Sequence, residues 1–439
     1  MKVVAIIPAK SKSSRIESKN TKLLCNMPLF IHTLDKLLKI SIIDEVWLDT
    51  DDINIINIAN NYGYNEFSYK NFKYFIRDKK FSDNSTDGNK LLENEISNIE
   101  SDIYIQILCT SPFTNIDSII ECINILKNGE YKSVVGYFKE KYYLWKNGKS
   151  LYDKYNIPNS NDLDDTIIES MSLYGITKDE FTKYKLRIGN NPYLLELKGE
   201  EIIDINYEKD FIFAEKIAFY NKFNEQNVFN NLKIKLNSGM ISDILNGVGC
   251  ENFILKEFKL NMTDNKLFGR VRPIQIRALK ENEDPNNIYD CLNSYKNINY
   301  GDIIFVNNLI DSKAYFGDLN ATIALSKNAQ GTIINGYTRD INKTINLKYP
   351  TFYKNNTCDD VKNVGTLDFY DELIIIDTIN IYVNNLIFAD EDGIIIIPKH
   401  LEKYVLEKCV AIIENESNIS NSITIGIDLN NILNKYGNF

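Results

Sequence analysis

Short apolar runs that end in polar residues alternate with helix-period segments along the chain. Lys2-Val3-Val4-Ala5-Ile6-Ile7-Pro8-Ala9 is a β-branched run, and Leu29, Ile31, Leu34, Leu37 and Leu38 then recur at helical spacing. Residues 43–51 predict the next strand, Ile53, Ile56 and Ala59 the next helix, and residues 102–108 and 132–136 two more strands. Such alternation predicts an α/β fold: a Rossmann-like sheet with helices on both faces. A second set of strands at 301–306, 331–334 and 392–398, with a helix at 319–326, predicts a further α/β domain that folds alone. Between the sets, residues 223–232 are polar, Asn-rich and without sustained period. That stretch reads as a linker, giving domains at 1–222 and 233–439 with no internal repeat.

A chain of 439 residues is long for one core, which agrees with two or three domains. A net charge of −10 and a pI near 5.1 argue against general nucleic-acid binding. The seven cysteines (Cys25, Cys109, Cys122, Cys250, Cys291, Cys358, Cys409) are scattered and contain no Cys-x-x-Cys pair. They suit reduced thiols of the cytoplasm rather than a disulfide frame or a zinc site. The opening apolar run is broken by Pro8 and too short for a signal peptide or membrane span, so no membrane partner is expected. With only His32 and His400, a histidine triad or metal cluster is nearly excluded, and both rings are expected in packing or at the surface.

Against this acidic balance, residues 10–22 gather Lys10, Lys12, Arg15, Lys19 and Lys22 among Ser11, Ser13, Ser14 and Ser18. A strand opening into such a loop ahead of a helix builds an anion site from side chains and backbone N–H groups. Composition alone fits a solvated charged loop equally well. The segment resembles the signature of the acylneuraminate cytidylyltransferases (CMP-sialic acid synthetases), Ala-Arg-Gly-Gly-Ser-Lys-Arg-Ile-Pro-x-Lys-Asn. Ala9, Ser13, Arg15, Ile16, Lys19 and Asn20 match, Lys10 stands for the first Arg, and Ser11-Lys12 replaces the glycine pair.

The resemblance implies that this loop wraps the triphosphate of CTP. Lys10, Arg15 and Lys19 are then phosphate binders, Arg15 and Lys19 the catalytic pair, and Ser13 and Asn20 further nucleotide contacts, with Lys12 supplying charge where the glycines are lost. Cys109-Thr110-Ser111-Pro112-Phe113 resembles the family's Gln-Pro-Thr-Ser-Pro-Leu, which adds Thr110 and Ser111 to the nucleotide set. Leu108 occupies the place of the family's glutamine, and Gln106 lies on the same side of the strand as a candidate replacement. Asp49-Thr50-Asp51 is in register with a Ser-Thr-Asp of the family and reads equally as a helix cap. Arg77 and Asp87 are the nearest equivalents of a further Arg and Asp. Asp204-Ile205-Asn206, then Asp210-Phe211 and Ala214-Glu215, resembles the family's Asp-Ile-Asp-x-x-x-Asp-Phe-x-x-Ala-Glu, whose paired aspartates hold Mg2+. Asn206 replaces the second carboxylate, leaving Asp204 as the expected metal ligand or, in the plainer reading, a loop residue.

In the second half, Gly317-Asp318-Leu319-Asn320-Ala321 precedes Gly336-Tyr337-Thr338-Arg339-Asp340. Placed at a helix start and a strand end, these bring two carboxylates and a guanidinium toward one edge. With Gly269-Arg270-Val271, Gly301-Asp302 and Ala389-Asp390-Glu391-Asp392-Gly393, they resemble the RraA-like family that includes 4-hydroxy-4-methyl-2-oxoglutarate aldolases. The resemblance implies that Asp340 ligates Mg2+ or Mn2+, Arg339 pairs with a 2-oxo acid and its enolate, and Asp318 orients a metal-bound water. Charge preorganised at such an oxygen is worth ~3 kcal/mol per donor. Surface ion pairing is the structural alternative for the three residues.

The expectation is a bifunctional, homo-oligomeric enzyme: a cytidylyltransferase acting on a sialic acid-like 2-ulosonic acid, joined to a metal-dependent aldolase or decarboxylase. Two alternatives stand beside it, a non-catalytic, oligomerising or regulatory second domain, and an acceptor other than a sialic-type sugar.

Overall fold

The computed structural model describes the chain apart from residues 84, 429–430, 432–434 and 436–439. The chain separates into two compact units, the first of residues 1–59 and 65–218, the second of 60–64 and 219–439. Among the described residues no helix is long and apolar enough to cross a membrane.

The first unit is built on a seven-stranded sheet: β1 (Val3–Ala9), β2 (Glu45–Thr50), β3 (Phe72–Ile76), β4 (Ile103–Ile107), β5 (Ser133–Glu140), β6 (Thr166–Thr177) and β7 (Tyr193–Glu196), in the order β7-β5-β6-β4-β1-β2-β3. β1 runs parallel to β2 and β4, β2 to β3, and β7 to β5, whereas β6 is antiparallel to both its neighbours. All seven residues of β1 are buried, so it reads as a continuous apolar run rather than an alternating one. Val4, Ile6, Tyr104 and Ile176 pack with Leu92 of α3 (Gly88–Asn98) and Phe181 of α5 (Lys178–Tyr184) on one face. On the other, a Cβ at Gly175 of β6 would meet Cys122 and Leu126 of α4 (Ile116–Asn128), so the helix seats against bare backbone there. Helices therefore cover both faces, as expected. α1 (Leu29–Leu37) buries Leu29, Phe30, Ile31, Leu34 and Leu37, each worth about 2 kcal/mol, and α2 is Ile53–Asn61. β1 has parallel neighbours on both sides, and the crevice beyond its carboxyl end is where an open α/β sheet takes a ligand.

The second unit centres on a ten-stranded sheet: β8 (Ile254–Leu255), β9 (Lys259–Leu260), β10 (Leu267–Ala278), β11 (Ile303–Asn308), β12 (Ala314–Phe316), β13 (Gly331–Thr338), β14 (Thr351–Asn356), β15 (Gly365–Tyr370), β16 (Leu386–Asp390) and β17 (Gly393–Ile397). The main path is β8-β17-β16-β10-β11-β13-β14-β9, with β12 against β13 and β15 against β10. β10, β11, β13 and β14 are mutually parallel. One apolar layer holds Ile274, Ile304, Val306, Ile334 and residues of α8 (Asp318–Ser326). A second holds Val271, Phe305, Ile333 and Phe352 on the opposite face.

The division between the units falls inside one helix, α6 (Glu208–Lys233), and the stretch expected as a linker at 223–232 is helical. Gln226 is buried and donates to the carbonyl of Phe268 at 2.9 Å, and Phe229 joins a core cluster with Phe268, Phe388 and residues of α7 (Ser238–Gly247). The polar Asn-rich surface of these turns hid a short buried stripe at i, i+3.

Candidate functional site

In the first unit, a cavity of about 240 Å³ opens beyond the carboxyl ends of β1 and β4. Lys10, Ser13, Arg15, Lys19, Asn20 and Thr110 all line it, together with Arg77, Leu108 and Cys109. The loop is held from within. Asn20 donates to the carbonyl of Lys10 at 2.9 Å and accepts from the Cys109 thiol at 3.1 Å, while Asp51 accepts from the Ser11 N–H at 2.7 Å and its hydroxyl at 3.1 Å. Asp51 thus anchors the loop across the strand ends, a role that its place at the end of a strand did not announce.

Lys19 is only 6 % exposed and donates to the carbonyl of Ile205 at 2.7 Å. Burial pushes its ammonium below the usual lysine range, and nearby Asp204 opposes that shift. The Arg15 guanidinium rests over the Tyr207 ring, 5.6 Å from its centre. Burial raises the Cys109 thiol to about 12, so this cysteine is a wall and a donor rather than a nucleophile.

Several expected positions differ. Ser111 is buried and outside the cavity lining, its carbonyl accepting from Thr114. It turns inward because the chain folds over after Leu108, whose carbonyl accepts from the Ser111 N–H. Lys12 is likewise outside the lining, and Leu108 forms wall while Gln106 does not. Gln106 donates instead to Glu95 at 2.7 Å in the buried layer beneath α3. Asp49, read as a cap or site carboxylate, is fully buried and pairs with Arg77 at 3.0 Å. Asp87 caps α3, accepting from the N–H groups of Asn89 and Lys90 at 3.0 Å each. Arg77, picked out in the sequence as the nearest equivalent of a family arginine but given no role there, has its guanidinium buried and still lines the cavity.

Asp204 lies outside the lining, and the Asn206 amide donates to its Oδ2 at 2.5 Å. The position of the family's second carboxylate is therefore a donor to the first. Asp204 still fits a magnesium ion, which needs only one or two carboxylates when phosphate oxygens complete its shell.

In the second unit, Asp318 opens α8, and Asp340 precedes α9 (Ile341–Asn346) with a left-handed φ of 56°. Gly317 makes this approach possible, since a Cβ there would lie 2.7 Å from Asp340 Oδ2. Lys343 stands between the carboxylates, 2.9 Å from Asp318 and 4.0 Å from Asp340. Its hydrogen bond holds the Asp318 carboxyl below the usual range. Arg339 reaches Asp360 at 2.7 Å and lies 3.6 Å from Asp340. The structure thus brings Asp318, Arg339 and Asp340 together and adds Lys343 and Asp360. Two adjacent carboxylates fit a divalent ion provided the Lys343 ammonium gives way. Among the described residues, no three His, Cys, Asp or Glu side chains cluster as a metal site.

Residues 239–396 match a family model described as Aldolase/RraA. Among curated proteins, the pseudaminic acid cytidylyltransferase of Campylobacter jejuni subsp. jejuni serotype O:2 is 34 % identical over 122 residues, covering 27 % of this chain and 50 % of that protein. Protein DlpA of Legionella pneumophila is 28 % identical over 198 residues, covering 45 % of this chain and 32 % of that protein. Half or less of each of these two relatives is spanned. A solved CMP:2-keto-3-deoxy-manno-octonic acid synthetase complexed with CTP aligns at a TM-score of 0.39 and 15 % identity, over 50 % of this chain and 100 % of that one. A family model described as Cytidylyltransferase matches residues 4–234, more than half of the chain, and by that match the chain belongs to the cytidylyltransferase family.

Proposed function

We propose that residues 1–222 transfer the cytidylyl group of CTP to an acidic sugar of the sialic or pseudaminic acid class. The observation that carries this reading is the convergence of Lys10, Arg15 and Lys19 with Arg77 on one cavity at the sheet's switch point. The sugar hydroxyl attacks the α-phosphorus, its O–P bond forming as the bond to the bridging oxygen breaks. Pyrophosphate and one proton are released. Little covalent work falls to the protein, which positions the two reactants in line and holds cations against the developing charge. Lys19 and Arg15 do this from fixed positions, Lys19 tied to the backbone at Ile205 and Arg15 resting on Tyr207. Asp204 is the residue that would hold Mg2+, which supplies further neutralisation of phosphate charge when bound. Incubating the protein with CTP, Mg2+ and a panel of acidic sugars tests the reading through pyrophosphate release; no release with any acid would sink it.

For residues 233–439 the proposed activity is metal-dependent cleavage or decarboxylation of 2-oxo acids. Asp340 would hold Mg2+ or Mn2+, which supplies Lewis-acid polarisation when bound, with Asp318 beside it as the acid/base and Arg339 paired with the acid's carboxylate. The pairing of Arg339 with Asp360 and of Asp318 with Lys343 favours a second reading, a non-catalytic, oligomerising or regulatory module. Oxaloacetate decarboxylation, compared between the parent and Asp318→Ala and Arg339→Ala, separates the two. In the catalytic reading one half makes or trims the 2-ulosonic acid that the other activates, and the covalent tether raises the local concentration to around millimolar.

A further inference from the structure

Beneath the cavity wall of the first unit lies a buried polar cluster that the transfer reaction does not use directly. Asp49 on β2 and Glu95 on α3 are both 0 % exposed. Arg77, after β3, donates from Nη2 to the Asp49 carbonyl at 2.9 Å and places Nε 3.0 Å from Asp49 Oδ1. Gln106 on β4 donates its amide to Glu95 Oε2 at 2.7 Å. The amide's orientation is set from behind, because Arg187 donates to Gln106 Oε1 at 3.5 Å while stacked over the Tyr174 ring.

With Oε2 of Glu95 taken by Gln106, its Oε1 has no hydrogen-bond donor of good geometry among the described residues, nor does either carboxylate oxygen of Asp49. The Asp49 and Glu95 side chains lie within hydrogen-bond reach of one another, so two buried carboxyls meet with acceptors only. One guanidinium cannot neutralise two buried negative charges, and like carboxylates at one site do not both ionise. A single proton resolves both problems: carried on Glu95 Oε1, it donates to Asp49, whose remaining negative charge pairs with Arg77. Burial and the neighbouring Asp49 charge push Glu95 well above the usual glutamate range, and burial raises Asp49 to about 6 against the pull of Arg77. Asp51, just past the end of β2, adds a weaker repulsion on Asp49.

We propose that Asp49 and Glu95 share one proton and that this neutral-plus-anionic pair is the positioning device that fixes the Arg77 guanidinium in the cavity wall, where it meets the anionic end of the nucleotide. The role assigned to Arg77 rests on the cytidylyl-transfer reading; the shared proton does not. Asp49 and Glu95 touch no substrate and act through Arg77. Loss of the proton at alkaline pH puts a second negative charge under the phosphate site and weakens nucleotide binding.

The test has two arms on the full-length chain. Infrared difference spectroscopy at neutral pH, without CTP, is expected to show the carbonyl band of a protonated carboxylic acid that is lost in Glu95→Gln. Absence of the band in the parent, or its persistence in Glu95→Gln, overturns the shared proton whatever the enzyme does with CTP. In the second arm, Glu95→Gln, which keeps a donor toward Asp49, raises KM for CTP less than threefold. Glu95→Leu, which leaves Asp49 without a donor, raises it at least tenfold, with kcat changed by less. Equal KM values for the two variants, with both shown folded by circular dichroism, overturn the positioning role. Failure of the parent to turn over CTP with any acceptor sinks the transfer reading and the nucleotide role of Arg77, while the infrared arm still decides the pair.

Discussion

The two units carry charge in opposite ways. In the first, Arg15 and Lys19 make no ion pair with a carboxylate within 4.0 Å among the described residues, and lean instead on a ring face and a backbone carbonyl. In the second, Asp318 and Arg339 are already matched, by Lys343 at 2.9 Å and Asp360 at 2.7 Å. A cation held by neutral groups keeps its field for an incoming anion, whereas a matched cluster must first give up a partner. Under the proposed function the first arrangement is open to an incoming triphosphate, whereas the second has to be opened by its ligand.

The sharpest way to break the comparison is Lys19→Ala. Loss of a preorganised cation at the phosphates is expected to lower kcat/KM for CTP about a hundredfold or more, read by pyrophosphate release. An unchanged rate would mean the cavity's charge is not aimed at substrate. Next comes Gly317→Ala. Its Cβ would sit 2.7 Å from Asp340 Oδ2, so the carboxylates separate and any Mg2+-dependent oxaloacetate decarboxylation falls about tenfold.

Stability probes the same contrast. Glu95 has a raised pKa in the folded chain, so above the ordinary glutamate value of 4.5 the native state binds more protons than the unfolded one. Its contribution therefore falls as pH rises from that value toward the raised one. Glu95→Gln should flatten this slope in denaturant melts followed from pH 5 to 8; an identical slope in the variant contradicts the assignment. The smallest effect belongs to Lys343→Ala. Because Lys343 is exposed, removing it should tighten Mg2+ binding only roughly two- to fivefold by calorimetry.

What the residue pattern made legible follows the burial of the elements. β1, β2, β4, β11, β13 and β17 are apolar runs ending in polar residues, and their position could be read directly. The cationic loop was visible because five basic residues stand out against an acidic chain. The Asp49–Glu95–Arg77 cluster was not. Glu95 sits among Asn and Glu on α3, where a carboxylate ordinarily faces water, and no spacing rule links it to strands 40 residues or so away in sequence. Lys343 and Asp360 were equally silent, since an exposed charge gains meaning only from what the fold sets beside it.

α6 has a practical consequence for anyone who wishes to study the halves apart. Its 26 residues run without interruption through the point where the units divide, and its last turns furnish Gln226 and Phe229 to the core of the second. Scission at residue 232 would strip those anchors from the second unit, and scission at 222 would expose a raw mid-helix end on both products. A break placed before Glu208 leaves the second portion its full helix but deprives the first unit of Phe211 and Ala214, which pack with Ile16 and Leu29 beside the cationic loop. Only a cut between Ala218 and Gln226 leaves each unit the helix residues that pack in its own core, at the cost of a new helix end on each product.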